Sequence, residues 1–154
     1  MRLKDHARSA KKRKDFVQEP GLLMVGIDVS KAEHDACIGT QAGILSRKFE
    51  FTHSREGFRF FETTLRKKIF RHKCKRMLIA MEPSGIYWYA LFERLKSSAY
   101  GVCLVNCRAV KNNRRTMQHG ESKTDEKHAA LRFLQANPTS RSIPRNCLTR
   151  FLEK

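Results

Sequence analysis

The run Met77-Leu78-Ile79-Ala80-Met81 is apolar at every position and is followed at once by Glu82-Pro83. A strand with one wet face alternates apolar and polar residues, so a strand with none must be covered on both sides. This segment therefore asks for a sheet with a layer packed on each face. A chain of 154 residues, 40% of them hydrophobic, has room for one such domain and a real core.

The flanking segments supply the rest of that sheet. Residues 24–29 alternate apolar and small side chains, and residues 35–39 and 44–51 form two more strands, with turn chemistry at 39–43. Three strands so close in sequence predict an antiparallel meander. Ser54 is an N-cap for a helix whose apolar face is Phe58, Phe61, Leu65 and Ile69, with its Arg and Lys residues left wet. Beyond residues 77–81, Pro83 keeps Glu82 extended. Ser84-Gly85 then opens a helix with Tyr87 or Trp88, Leu91, Phe92 and Leu95 facing the core. Residues 102–105 are a fifth strand. A basic, helix-prone segment with Arg108, Lys111, Arg114 and Arg115 follows, then a last helix over residues 123–135, broken at Asn137-Pro138.

The order β-β-β-α-β-α-β-α-α predicts an α/β fold with a mixed sheet and helices on both faces. It suits the ribonuclease H-like fold and equally the related actin-like ATPase and sugar-kinase fold, which periodicity does not separate. Residues 22–136 form this domain. Residues 1–21 are expected to be a basic flexible arm and residues 137–154 a tail.

Charge narrows the function classes. Against 15 Asp and Glu stand 32 Lys and Arg, a formal +17, which predicts a polyanion partner held by phosphate contacts. No apolar stretch approaches the ~20 residues of a membrane span, and residues 1–15 lack the apolar core of a secretory signal. Five scattered cysteines without a CxxC pair read as reduced, mostly buried thiols in a cytoplasmic protein. Cys103 and Cys107 fit none of the usual zinc spacings.

Three carboxylates stand out. Alternation puts Val25, Ile27 and Val29 on one face of the first strand and Gly26, Asp28 and Ser30 on the other. Midway along a strand covered on both sides, Asp28 is costly unless it meets a metal, a cation or several donors. The competing reading is a strand-end Asp bonded to backbone amides. Glu82 either shares a site with Asp28 or is stabilised by the helix N-terminus that follows it. Asp125 fits the capping box Ser122-Lys123-Thr124-Asp125 without any catalysis, and His128 shares its helix face. Tyr87, Trp88 and Tyr89 are expected to pack rather than stack on bases.

The strings Gly26-Ile27-Asp28-Val29-Ser30-Lys31, Glu82-Pro83-Ser84-Gly85-Ile86-Tyr87-Trp88, Val105-Asn106 and Lys123-Thr124-Asp125 occur in that order. Together they resemble the DEDD transposases of insertion sequence family 110, whose amino-terminal domain is ribonuclease H-like (RuvC-like). The resemblance covers about residues 22–136. It implies four acidic residues that bind a divalent metal, Mg²⁺ or Mn²⁺, a carboxy-terminal domain with a serine nucleophile, and action on DNA with a structured guide RNA. Asp28, Glu82 and Asp125 match the first three acids. The fourth falls on His128, where the family pattern has Asp. A neutral imidazole there removes one charge and one hard oxygen ligand, so metal affinity should fall or preference drift toward manganese.

With the acids converged, two ions about 3.5–4 Å apart would clamp a scissile phosphate. Lys31, Arg108, Lys111, Arg114, Arg115 and Lys123 would hold the nucleic-acid backbone beside it. The chain stops soon after Asn137-Pro138, so it reads as a truncated transposase, alone, as a homo-oligomer, or beside a full-length partner. The rival readings are a binding-only remnant and, more distantly, an actin-like ATPase. The latter wants a glycine-rich turn after the Asp, where this chain has Val29-Ser30-Lys31.

Overall fold

The computed structural model describes residues 2–83, 85–96, 98, 100–105 and 108. Strands β1 (Leu22–Asp28), β2 (Glu33–Thr40) and β3 (Gly43–Thr52) form the expected antiparallel meander. On the other side of β1, strands β4 (Arg76–Met81) and β5 (Gly101–Leu104) add in parallel, giving the order β3-β2-β1-β4-β5. This mixed five-stranded sheet is consistent with a ribonuclease H-like fold. The basic segment beyond Arg108 and the last expected helix lie outside the described residues.

Alternation sorts the core into two layers. Leu23, Val25 and Ile27 of β1 and Met77, Ile79 and Met81 of β4 share one face. That face is covered by Phe61 and Leu65 from helix α2 (Arg55–Arg71) and by Leu91 and Leu95 from helix α3 (Trp88–Lys96). The other face carries Leu22, Met24, Cys37, Leu78, Ala80, Cys103 and Val105. Residues 77–81 are buried throughout, as their unbroken apolar run requires. Cys37, Cys74 and Cys103 are buried and none is in a disulfide.

Helix α2 begins where Ser54, in extended geometry, accepts a hydrogen bond from the Gly57 amide at 3.0 Å. Gly57 is required by space: a Cβ there would lie 2.1 Å from the Thr52 carbonyl oxygen, because the first turn sits against the end of β3. The helix ends in a Schellman turn. Lys73 adopts φ 52°, its amide donates to Phe70 O at 3.2 Å, and the Cys74 amide donates to Ile69 O at 3.0 Å. Arg94 of α3 grips Glu62 of α2 through two hydrogen bonds of 3.0 and 3.2 Å, locking the two helices side by side.

The amino-terminal segment, expected as a basic flexible arm, carries a helix that the sequence reading did not assign. Arg2–Val17 is a helix, α1, and its last two residues, Phe16 and Val17, are buried against Leu22, Met24 and Leu78. The anchor is reinforced by Arg76, which donates to Glu19 at 2.8 Å and lies over the Phe16 ring. The helix is polar along most of its length, so two apolar residues at one end hold it to the sheet. That is too little to show as a helical period.

Candidate functional site

Parallel pairing of β1 with β4 brings two of the expected acids to neighbouring strand ends. The ladder runs from Leu22–Arg76 to Ile27–Met81, and the next positions along the two strands are Asp28 and Glu82. By alternation both extend the face that carries Met24 and Ala80. Asp28 is the last residue of β1 and is exposed, while Glu82 is half-buried. The expectation of a costly, buried mid-strand Asp28 is thereby corrected. Strand β1 starts at Leu22 and stops at Asp28 while β2 runs on beside β3, so the carboxylate stands at the strand end and meets water.

A third acid joins this end of the sheet. Asp35 of β2 is the rung partner of Asp28 across the antiparallel ladder, and opposed residues leave the same face. Its carboxylate is 3.2 Å from the Lys48 ammonium, which also pairs with Glu50. Sequence inspection passes over Asp35 because it falls within an ordinary strand. Only the register, with Asp28 opposite, reveals it.

The loop that follows Asp28 is held from the other face. His34 is the one polar or charged residue buried among the described residues. The Ser30 amide donates to its Nδ1 at 3.3 Å, and its Nε2 lies 2.9 Å from Nδ1 of His53. Phe51 and Phe58 flank the ring, at centroid distances of 4.9 and 6.1 Å. Burial, and secondarily the neighbouring His53, push the His34 pKa down to about 4. The Ser30 hydroxyl donates to the Glu33 carbonyl, and the His53 amide donates to Ala32 O at 2.8 Å, so the turn is fixed at several points. Lys31 is exposed at its tip.

Of the other expected site residues, Arg108 is exposed, whereas Lys111, Arg114, Arg115, Lys123, Asp125 and His128 lie outside the described residues. Among the described residues no group of three or more His, Cys, Asp or Glu is gathered as a metal site. Carboxylates such as those of Asp28 and Glu82 carry the hard oxygen donors that magnesium and manganese prefer. Magnesium commonly takes one or two protein carboxylates and keeps its waters. Tyr87 and Trp88 pack on the core, as expected, and Trp88 Nε1 donates to Gly85 O at 3.1 Å. Tyr89 instead is exposed. No described helix is long and apolar enough to cross a membrane.

Comparison with known proteins finds no match among curated sequences. A family model described as transposase, that of the DEDD transposases of insertion sequence family 110, matches residues 25–132. That span contains Asp28, Asp35, Glu82, Asp125 and His128, and it takes in more than half of the chain. The chain belongs to the DEDD transposase family of insertion sequence family 110.

Proposed function

We propose that the Asp28–Glu82 end of the sheet is the described half of a metal-dependent site that cleaves and transfers phosphodiester strands in DNA transposition. The observation that carries this reading is the placement of both acids at adjacent carboxyl ends of the parallel β1–β4 pair. Asp125 would complete the set from the segment that follows, with His128 at the fourth position. A bound Mg²⁺ or Mn²⁺ would supply charge stabilisation for the phosphate oxygens. Asp28 and Glu82 would hold the cation at the rim of the sheet, in water, where a nucleic-acid backbone has access.

Lys31, in the turn beside Asp28, would meet the phosphates, together with Arg108, Lys111, Arg114, Arg115 and Lys123. The formal +17 favours a nucleic-acid partner, with long-range attraction weakened by salt, and the family points to DNA with a structured guide RNA. In the family, strand exchange also uses a serine nucleophile carried by a carboxy-terminal domain. His128 favours one second reading, a chain that binds nucleic acid without cutting it, because imidazole replaces a carboxylate among the proposed ligands.

The test is cleavage of branched and single-stranded DNA with Mn²⁺ or Mg²⁺, comparing the native chain with Asp28→Ala and Glu82→Gln. Metal-dependent nicking lost in both variants supports the proposal. Salt-sensitive binding with no cleavage in any metal supports the binding-only reading.

A further inference from the structure

We infer that His34 is a positioning residue for the Asp28 carboxylate, fixing from the opposite face of the sheet the turn on which that carboxylate stands. For metal binding, this rests on the function proposed for Asp28. Strand β1 ends at Asp28, and its last rung is the pair with Asp35. Past that rung the chain must leave the sheet, and the direction it takes decides where Asp28 points. The Ser30 amide, two residues on, is bound by a side chain: it donates to Nδ1 of His34.

That bond sets the chemistry of the ring. An Nδ1 that accepts carries no proton, so neutral His34 bears its hydrogen on Nε2 and donates it to Nδ1 of His53. Phe51 and Phe58 against the ring leave it little room to turn. His53 is itself tied to the same turn through its amide on Ala32 O. Backbone, two imidazoles and backbone thus close a loop around residues 30–34. Val29, buried on the His34 side, pins the remaining corner. The acid sits on one face of the sheet and its brace on the other.

Two substitutions separate the two ends of the ring. Asn places an oxygen acceptor near the position of Nδ1, whereas Gln places its amide near Nε2 and leaves the Ser30 amide without its acceptor. The measurements are Ser30 amide exchange and the Asp28 Hα–Hβ couplings by NMR on the full metal-free chain, then Mn²⁺ broadening of the Asp28 and Glu82 amides.

In His34→Gln, Ser30 exchange should rise roughly tenfold, the loss of one ordinary hydrogen bond, and the Asp28 couplings should average. Mn²⁺ affinity at Asp28 should fall roughly tenfold, the usual size of an outer-shell effect. His34→Asn should restore all three toward native values. Unchanged Asp28 couplings in His34→Gln, or equal losses in the Gln and Asn variants, would overturn the inference. Should His34→Gln not fold, averaged Asp28 couplings in a folded His34→Asn would overturn it, and retained ones support it. A native chain with no Mn²⁺ broadening at Asp28 would sink the proposed metal role, while the metal-free couplings still decide the positioning.

Discussion

Asp28 and Asp35 are partners in the last rung of the β1–β2 ladder, so two carboxylates leave one face of the sheet side by side. Like charges placed opposite one another destabilise a ladder by roughly 0.2–1 kcal/mol, and Lys48 offsets this from the Asp35 side. Asp28→Asn should therefore raise the stability of the metal-free chain by up to about 1 kcal/mol. Urea unfolding in chelator and low salt measures it. A midpoint below that of the native chain would show that the pair is not under repulsive load.

His34 should make stability depend on pH. Its pKa in the fold is lowered to about 4, against an ordinary 6.5, by burial first and by His53 second. The unfolded state therefore takes up the proton more readily. Stability from this group is whole above about pH 6.5 and declines as pH falls toward 4, by up to about 3 kcal/mol. Urea midpoints between pH 7.5 and 4.5 follow the decline. His34→Phe should flatten this part of the curve, and an unchanged slope would assign it to other groups.

Gly57 sits where a helix start meets a strand end. Alanine elsewhere in a helix is favoured over glycine by about 1 kcal/mol. Here its Cβ would fall 2.1 Å from Thr52 O and 2.4 Å from Thr52 Oγ1. Backbone cannot swing aside as a flexible side chain can, so the clash wins. Gly57→Ala should cost roughly 1–3 kcal/mol, read as a lower thermal midpoint.

Lys73 presents the opposite case. It holds a left-handed conformation, φ 52°, in the turn that closes α2, and no glycine fills the position. Lys73→Gly should stabilise the chain by roughly 1 kcal/mol, since the strain of a Cβ in that region is relieved. Differential scanning calorimetry checks the rise, and a fall in midpoint would mean that the lysine side chain contributes more than the strain costs.

Strands and caps were legible because each depends on neighbours in sequence. The apolar run at residues 77–81, the alternation around Val25 and Ile27, and Ser54 before its helix all appear where local pattern puts them. Asp28 and Glu82 were legible as a pair because the ribonuclease H-like fold, which the element order suits, sets their strands side by side, as the parallel β1–β4 ladder does. Other features depend on register or on distant partners. The exposure of Asp28 depends on where β1 leaves the sheet. The place of Asp35 depends on which residue faces it. His34 and His53, 19 residues apart, meet only once β2 and β3 are paired. Helix α1 escaped because its attachment, Phe16 and Val17, is too small to write a periodicity.

The burial of Phe16 and Val17 also says where the folding unit starts. The family match opens at Val25, inside β1. A piece trimmed to that point would lose the rungs Leu22–Arg76, Leu23–Met77 and Met24–Leu78. It would also strip the α1 residues from Leu78 and leave an apolar sheet face in water. The stretch by which this chain is recognised and the stretch that completes its sheet and covers it have different beginnings.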